Sequence, residues 1–167
     1  MSHSRMLLMM LVPLLASAQP TPSEQTAVTQ ASTERAQPQQ STLTPEQRGD
    51  LFMARKMYRE AIDTYKSGQQ TAIIWDKIGI AYHQLGDLAA ARKAYERAVK
   101  IDKKYADAIN NIGTVYYAEK KYRSAISRYN RALQIAPDNA SVWSNLGTAY
   151  YARGKFDLMT QAYTKAL

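Results

Sequence analysis

The sequence has no cysteine and only two histidines among 167 residues. Without cysteine there can be no disulfide framework, zinc ribbon, iron–sulfur cluster or thiol nucleophile, and two histidines are too few for a His-rich metal site. Phe and Trp occur twice each, beside twelve Tyr. There is no phosphate-cradling glycine-rich loop, no nucleophile elbow and no H-E-x-x-H pattern. His83, the one histidine beyond the N-terminal segment, has Asp76 and Asp87 at i−7 and i+4, a spacing that builds no acid–base pair. These absences predict a chain with no enzymatic activity, no cofactor and no metal. Acidic residues are also in deficit, 14 against 22 Lys and Arg, for a formal charge of +8.

A long apolar run is missing as well. Residues 6–16 read MLLMMLVPLLA, shorter than the roughly 20 apolar residues that span a bilayer, and Pro13 interrupts them. Arg5 precedes this stretch and Ala16-Ser17-Ala18 follows it, the order of a secretory signal peptide with a small-residue cleavage site. The expectation is export to the periplasm or the exterior, no transmembrane span, and a mature chain starting at Gln19 with charge +7. Residues 19–43 hold six Gln, five Thr and three Pro around a single large aliphatic residue, Val28, before Leu43. Such a segment buries too little apolar surface to offset its ordering entropy, which predicts a disordered linker.

The remainder repeats itself. Trp75, Ile109 and Trp143 are spaced by 34, as are Ile78, Ile112 and Leu146. The same step relates Gly79, Gly113 and Gly147; Tyr82, Tyr116 and Tyr150; Tyr95, Tyr129 and Tyr163; and Ala98, Ala132 and Ala166. Each unit reads as two helices. Trp75, Ile78, Gly79 and Tyr82 form one apolar stripe of helical period, Gly86-Asp87 breaks it, and Leu88, Ala91, Tyr95 and Ala98 form a second. A glycine inside a helix costs about 1 kcal/mol against alanine. A glycine column therefore predicts close approach of the paired helix, with Ala91 and Ala125 as the facing small residues.

The run W-D-K-I-G-I-A-Y over residues 75–82, with Gly86, Ala91, Tyr95 and Ala98 after it, resembles the tetratricopeptide repeat. The resemblance covers residues 72–105, 106–139 and 140–167. A divergent copy at 44–71 precedes them, with Thr44, Pro45 and Gln47 as a capping box and a shortened second helix ending near Gly68. It implies an all-α fold, a right-handed α-solenoid of stacked helix–turn–helix units, acting as a scaffold for a protein or peptide partner. The stripe that would line the concave groove carries Ile73, Asp76, Ile80 and His83, then Asp107, Asn110, Thr114 and Tyr117, then Ser141, Ser144, Thr148 and Tyr151. These are the expected partner-binding residues, with Ile80, Tyr117 and Tyr151 as exposed apolar points. Some relatives grip a chaperone's C-terminal carboxylate with Lys, Arg and Asn in this groove. Here Asp76, Ile80, Ser141 and Asn145 stand in those places, and only Asn111 fits.

Two further readings come from the residues. Tyr163, Ala166 and Leu167 would face a following helix and are candidates for end-to-end self-association in an envelope assembly, and Met159 stands where a small residue is expected. Arg92, Lys93, Arg97, Lys100, Lys103 and Lys104, with Lys120, Lys121, Arg123, Arg128 and Arg131, fall on second helices or their flanks. On the convex side they would attract acidic glycan or lipid. No nucleic-acid recognition motif accompanies them, and no nucleic-acid partner is expected.

Overall fold

The computed structural model describes residues 43–167. The signal-peptide reading of residues 1–18 and the linker reading of 19–42 lie outside the described residues. Eight helices follow in order: α1 (Pro45–Ala54), α2 (Tyr58–Lys66), α3 (Ala72–Gln84), α4 (Leu88–Ile101), α5 (Ala106–Ala118), α6 (Tyr122–Ile135), α7 (Ala140–Ala152) and α8 (Phe156–Lys165). No strand occurs among the described residues.

The helix starts are written in the sequence. Thr44, Thr71, Asp87 and Asn139 each accept a hydrogen bond from the backbone N–H three residues on, satisfying a donor the helix itself leaves open. At Thr44 the bond is reciprocated, because Gln47 Oε1 accepts from the Thr44 N–H at 3.0 Å. Pro45 takes a first-turn position, where its missing N–H costs nothing. Between the helices of each pair, Lys56, Gly86, Lys120 and Gly154 adopt positive φ, from 58° to 78°, at equivalent positions of the four units.

Each helix packs against its partner and then against the first helix of the next pair, which makes the right-handed α-solenoid. Much of the core comes from the stripes read above: Ile78, Ala91, Tyr95, Ala98, Ile109, Ala125, Tyr129, Ala132 and Leu146 are all buried. Trp75, Tyr82 and Tyr116 are half-buried, whereas Ile74, Ala81, Val115 and Val142, outside those stripes, are buried as well. What holds the pairs together is more specific than close backbone approach. A Cβ added at Gly49, Gly79 or Gly113 would stand under 3.0 Å from the ring of Tyr65, Tyr95 or Tyr129, respectively. Every glycine of the column has its tyrosine 16 residues on, and the bare glycine surface is the seat for that ring. Ala91 and Ala125 are buried in the same clusters as Tyr95 and Tyr129. At Gly147 the seat is looser, 2.8 Å to Tyr163, and Tyr163 is 36% exposed whereas the other three tyrosines are at most 2% exposed.

Candidate functional site

Successive first helices touch directly, α3 with α5 and α5 with α7, while the second helices are held apart by them. The closer spacing makes the first-helix side the inner side of the curve, and the predicted stripe lies there.

The structure divides that stripe. Ile73 (52%) and Tyr151 (61%) are exposed, as are Asp107, Ser141 and Ser144. His83, Asn110, Thr114 and Thr148 are half-buried. Asp76 is only 5% exposed, a correction to its reading as a surface position. Ile80 and Tyr117 are corrected too. Ile80 packs beside Ala91, Tyr95, Ile112 and Val115, and Tyr117 packs on the core around Tyr129 and meets the Tyr122 ring at 5.3 Å. The exposed aromatic point is instead Tyr151 with Phe156, ring centroids 6.0 Å apart, and Phe156 was absent from the sequence reading.

A polar ladder runs across the inner side. Lys77 on α3 reaches back to Glu46 and Asp50 on α1, each at 2.8 Å. Asn111 Nδ2 on α5 donates to Asp76 Oδ1 on α3 at 2.9 Å, and Asn145 Nδ2 on α7 donates to Asn110 Oδ1 on α5 at 3.0 Å. Each rung runs from one first helix to the one before it. Asn111, the one residue matching the carboxylate-gripping pattern, is thus engaged in holding Asp76. The two amide rungs were missed because they join residues 35 apart, one off the repeat period.

Burial pushes the Asp76 carboxyl up to about 6; the Asn111 hydrogen bond opposes this and the nearby Asp107 charge adds to it. Burial pushes the His83 imidazole below its usual range, so it adds little positive charge at neutral pH. At the first pair, burial acts against the Asp50 charge, but hydrogen bonds from Lys77 and from the Tyr65 hydroxyl (2.6 Å) outweigh it and hold the carboxyl low.

The outer side carries the cations, several engaged with aromatic rings. The Arg97 guanidinium lies 4.2 Å from the Trp75 ring, and those of Arg92 and Arg128 lie 5.8 and 5.9 Å from that of Tyr116. Trp143 donates its indole N–H to the Pro137 carbonyl at 2.6 Å, whereas the buried Trp75 Nε1 has no partner among the described residues. At the last pair, Leu167 is fully exposed, Ala166 is half-buried, and the Tyr163 hydroxyl meets Thr148 Oγ1 at 3.0 Å. Beside them a groove of about 510 Å³ is lined by Trp143, Leu146, Tyr150, Leu158, Gln161 and Ala162, among others. No helix among the described residues is long and apolar enough to cross a membrane.

A family model described as TPR repeat matches residues 79–119 and 113–154. Residues 79–154 are thus similar to the tetratricopeptide repeat. Among solved structures, MamA is similar over 73% of this chain and 74% of its own, at 25% identity and a TM-score of 0.66. YrrB, a TPR protein with an unusual peptide-binding site, is similar over 71% of this chain and 63% of its own, at 20% identity and a TM-score of 0.61. A chain of the APC/C hetero-tetramer Cut9-Hcn1 is similar over 74% of this chain and 26% of its own, at 21% identity and a TM-score of 0.66. The last two likenesses show the fold alone. A search of curated proteins finds no match. These neighbours share the fold of stacked helix pairs.

Proposed function

We propose that this TPR chain is an exported, non-catalytic scaffold that docks a segment of a partner protein along the inner face of α3, α5 and α7. The observation that carries the reading is the composition of that face. It presents spare hydrogen-bonding groups on Asp107, Ser141 and Ser144 beside the exposed apolar side chains of Ile73 and Tyr151. Packing leaves these groups available, and the exposed aromatic supplies contact area at small entropic cost. The likeness to a peptide-binding TPR protein supports it. The leader-like residues 1–18 support export.

A second reading rests on the last pair. The exposed Tyr163 and the neighbouring groove would accept a further helix, so a second copy or another envelope subunit stacks there.

One crosslinking series separates the two. A photoreactive benzoylphenylalanine at Ile73, Thr114 or Tyr151 is expected to trap a discrete second protein in cells, identified by mass spectrometry. The same group at Lys100 or Arg131, on the outer helices, is expected to trap none. Trapping only from the outer positions would move the docking face there, and self-crosslinks from Tyr163 would favour stacking.

A further inference from the structure

The inner face bears a charge opposite to that of the chain. The whole sequence carries +8, yet the twelve stripe residues include Asp76 and Asp107 and no Lys or Arg. Asp76 is 95% removed from solvent, and its one hydrogen bond among the described residues comes from a neutral amide, that of Asn111, to Oδ1. Oδ2 accepts none there, and it is not among the sealed side-chain atoms that lack a partner. A buried carboxylate is ordinarily matched by a cation or by several donors. At the first pair even an exposed carboxylate, Asp50, is matched by Lys77 and the Tyr65 hydroxyl. At Asp76 the charge that acts on it is that of another carboxylate, Asp107.

We infer that the segment docked on the inner face carries a basic side chain, Arg or Lys, seated at Asp107 and Asp76 and flanked by apolar residues that cover Ile73 and Tyr151. This rests on the docking face proposed above and names the chemistry of what it takes. Asp107 is the accessible contact, and Asp76 behind it adds a second, less screened negative charge. Arg suits the place best, because a planar guanidinium engages carboxylate oxygens in pairs and is weakly hydrated. The outer cations do not forbid such a partner. At physiological salt their field is screened within about 8 Å, so the inner carboxylates act at contact range. An anionic segment, by contrast, would have to dock against two carboxylates with no cation on the stripe.

The test is selection of random dodecapeptides displayed on phage against the immobilised full chain, followed by affinity measurement of the selected peptides. Enrichment of Arg or Lys beside apolar or aromatic residues is expected. Affinity for Asp107→Asn should fall about tenfold and for the double variant Asp76→Asn/Asp107→Asn further. Both substitutions keep side-chain shape and an acceptor oxygen, and circular dichroism checks that each variant folds. Peptides without basic residues, or basic peptides that bind the double variant unchanged, overturn the inference, as does a selection that enriches nothing. Where such peptides still lose affinity with Tyr151→Ala, the docking face stands and only the charge assignment falls. Where Tyr151→Ala has no effect either, both fall.

Discussion

Gly79→Ala loses about 2 kcal/mol of stability, although helix propensity alone would gain about 1 kcal/mol from the same change. The new methyl group would meet the ring of Tyr95, which is 1% exposed and walled in by neighbours, so the ring cannot swing aside without opening the core. Tyr95→Ala loses about 3–5 kcal/mol through the cavity it leaves. The diagnostic result is the double variant. With the ring gone, the methyl at position 79 sits in space and keeps its helical advantage, so Gly79→Ala/Tyr95→Ala should be no less stable than Tyr95→Ala alone. That is a coupling of about 2–3 kcal/mol between residues 16 apart, read from urea unfolding followed by tryptophan fluorescence. Additive losses would mean that the ring and the glycine do not form one unit. Gly147→Ala should cost less than Gly79→Ala, because Tyr163 is 36% exposed and free to shift.

Asp76→Asn stabilises the chain at neutral pH, by up to about 3 kcal/mol. The carboxyl titrates near 3.8 when the chain is unfolded and near 6 in the fold, a difference worth about 3 kcal/mol. The folded chain therefore holds this proton more tightly than the unfolded chain does. Stability from this group falls as pH rises from about 4 through 6, and the penalty is complete above about pH 7. Asparagine carries no charge and still offers Oδ1 to Asn111, so the gain should be largest at pH 7.5 and vanish near pH 4. Taking the difference between wild type and variant at each pH cancels the other carboxylates. An equal gain at both pH values would contradict a buried, ionised Asp76.

Most of the architecture was legible because it repeats. A helical stripe recurring at a fixed period states both the element and its core face, and much of the buried core comes from those stripes. The glycine column was visible, but the tyrosine ring seated on it was not. A 16-residue offset from Gly79 to Tyr95 connects two helices through a turn, and local periodicity says nothing about which side chains meet across it. The inner stripe was legible as a direction and not as a depth. A helix period puts Asp76, Ile80 and Asp107 on one side, yet how far α5 covers α3 depends on the curve of the stack, which buries Asp76 and half-buries Ile80 against the core. The ladder through Asn111 and Asn145 follows from the same curvature, which brings residue 76 opposite 111 and not 110. Tyr151 needed no such knowledge, because it stays exposed.

That a partner segment lies along α3, α5 and α7 is tested most directly by chemical-shift mapping. The isotopically labelled full chain would be titrated with the tightest peptide from the display selection. The largest changes should fall at Ile73, Asp107, Thr114, Ser144 and Tyr151, with α4 and α6 unaffected. Changes concentrated around Arg97 and Lys100, or around Leu158 and Tyr163, would contradict the inner face as the docking surface.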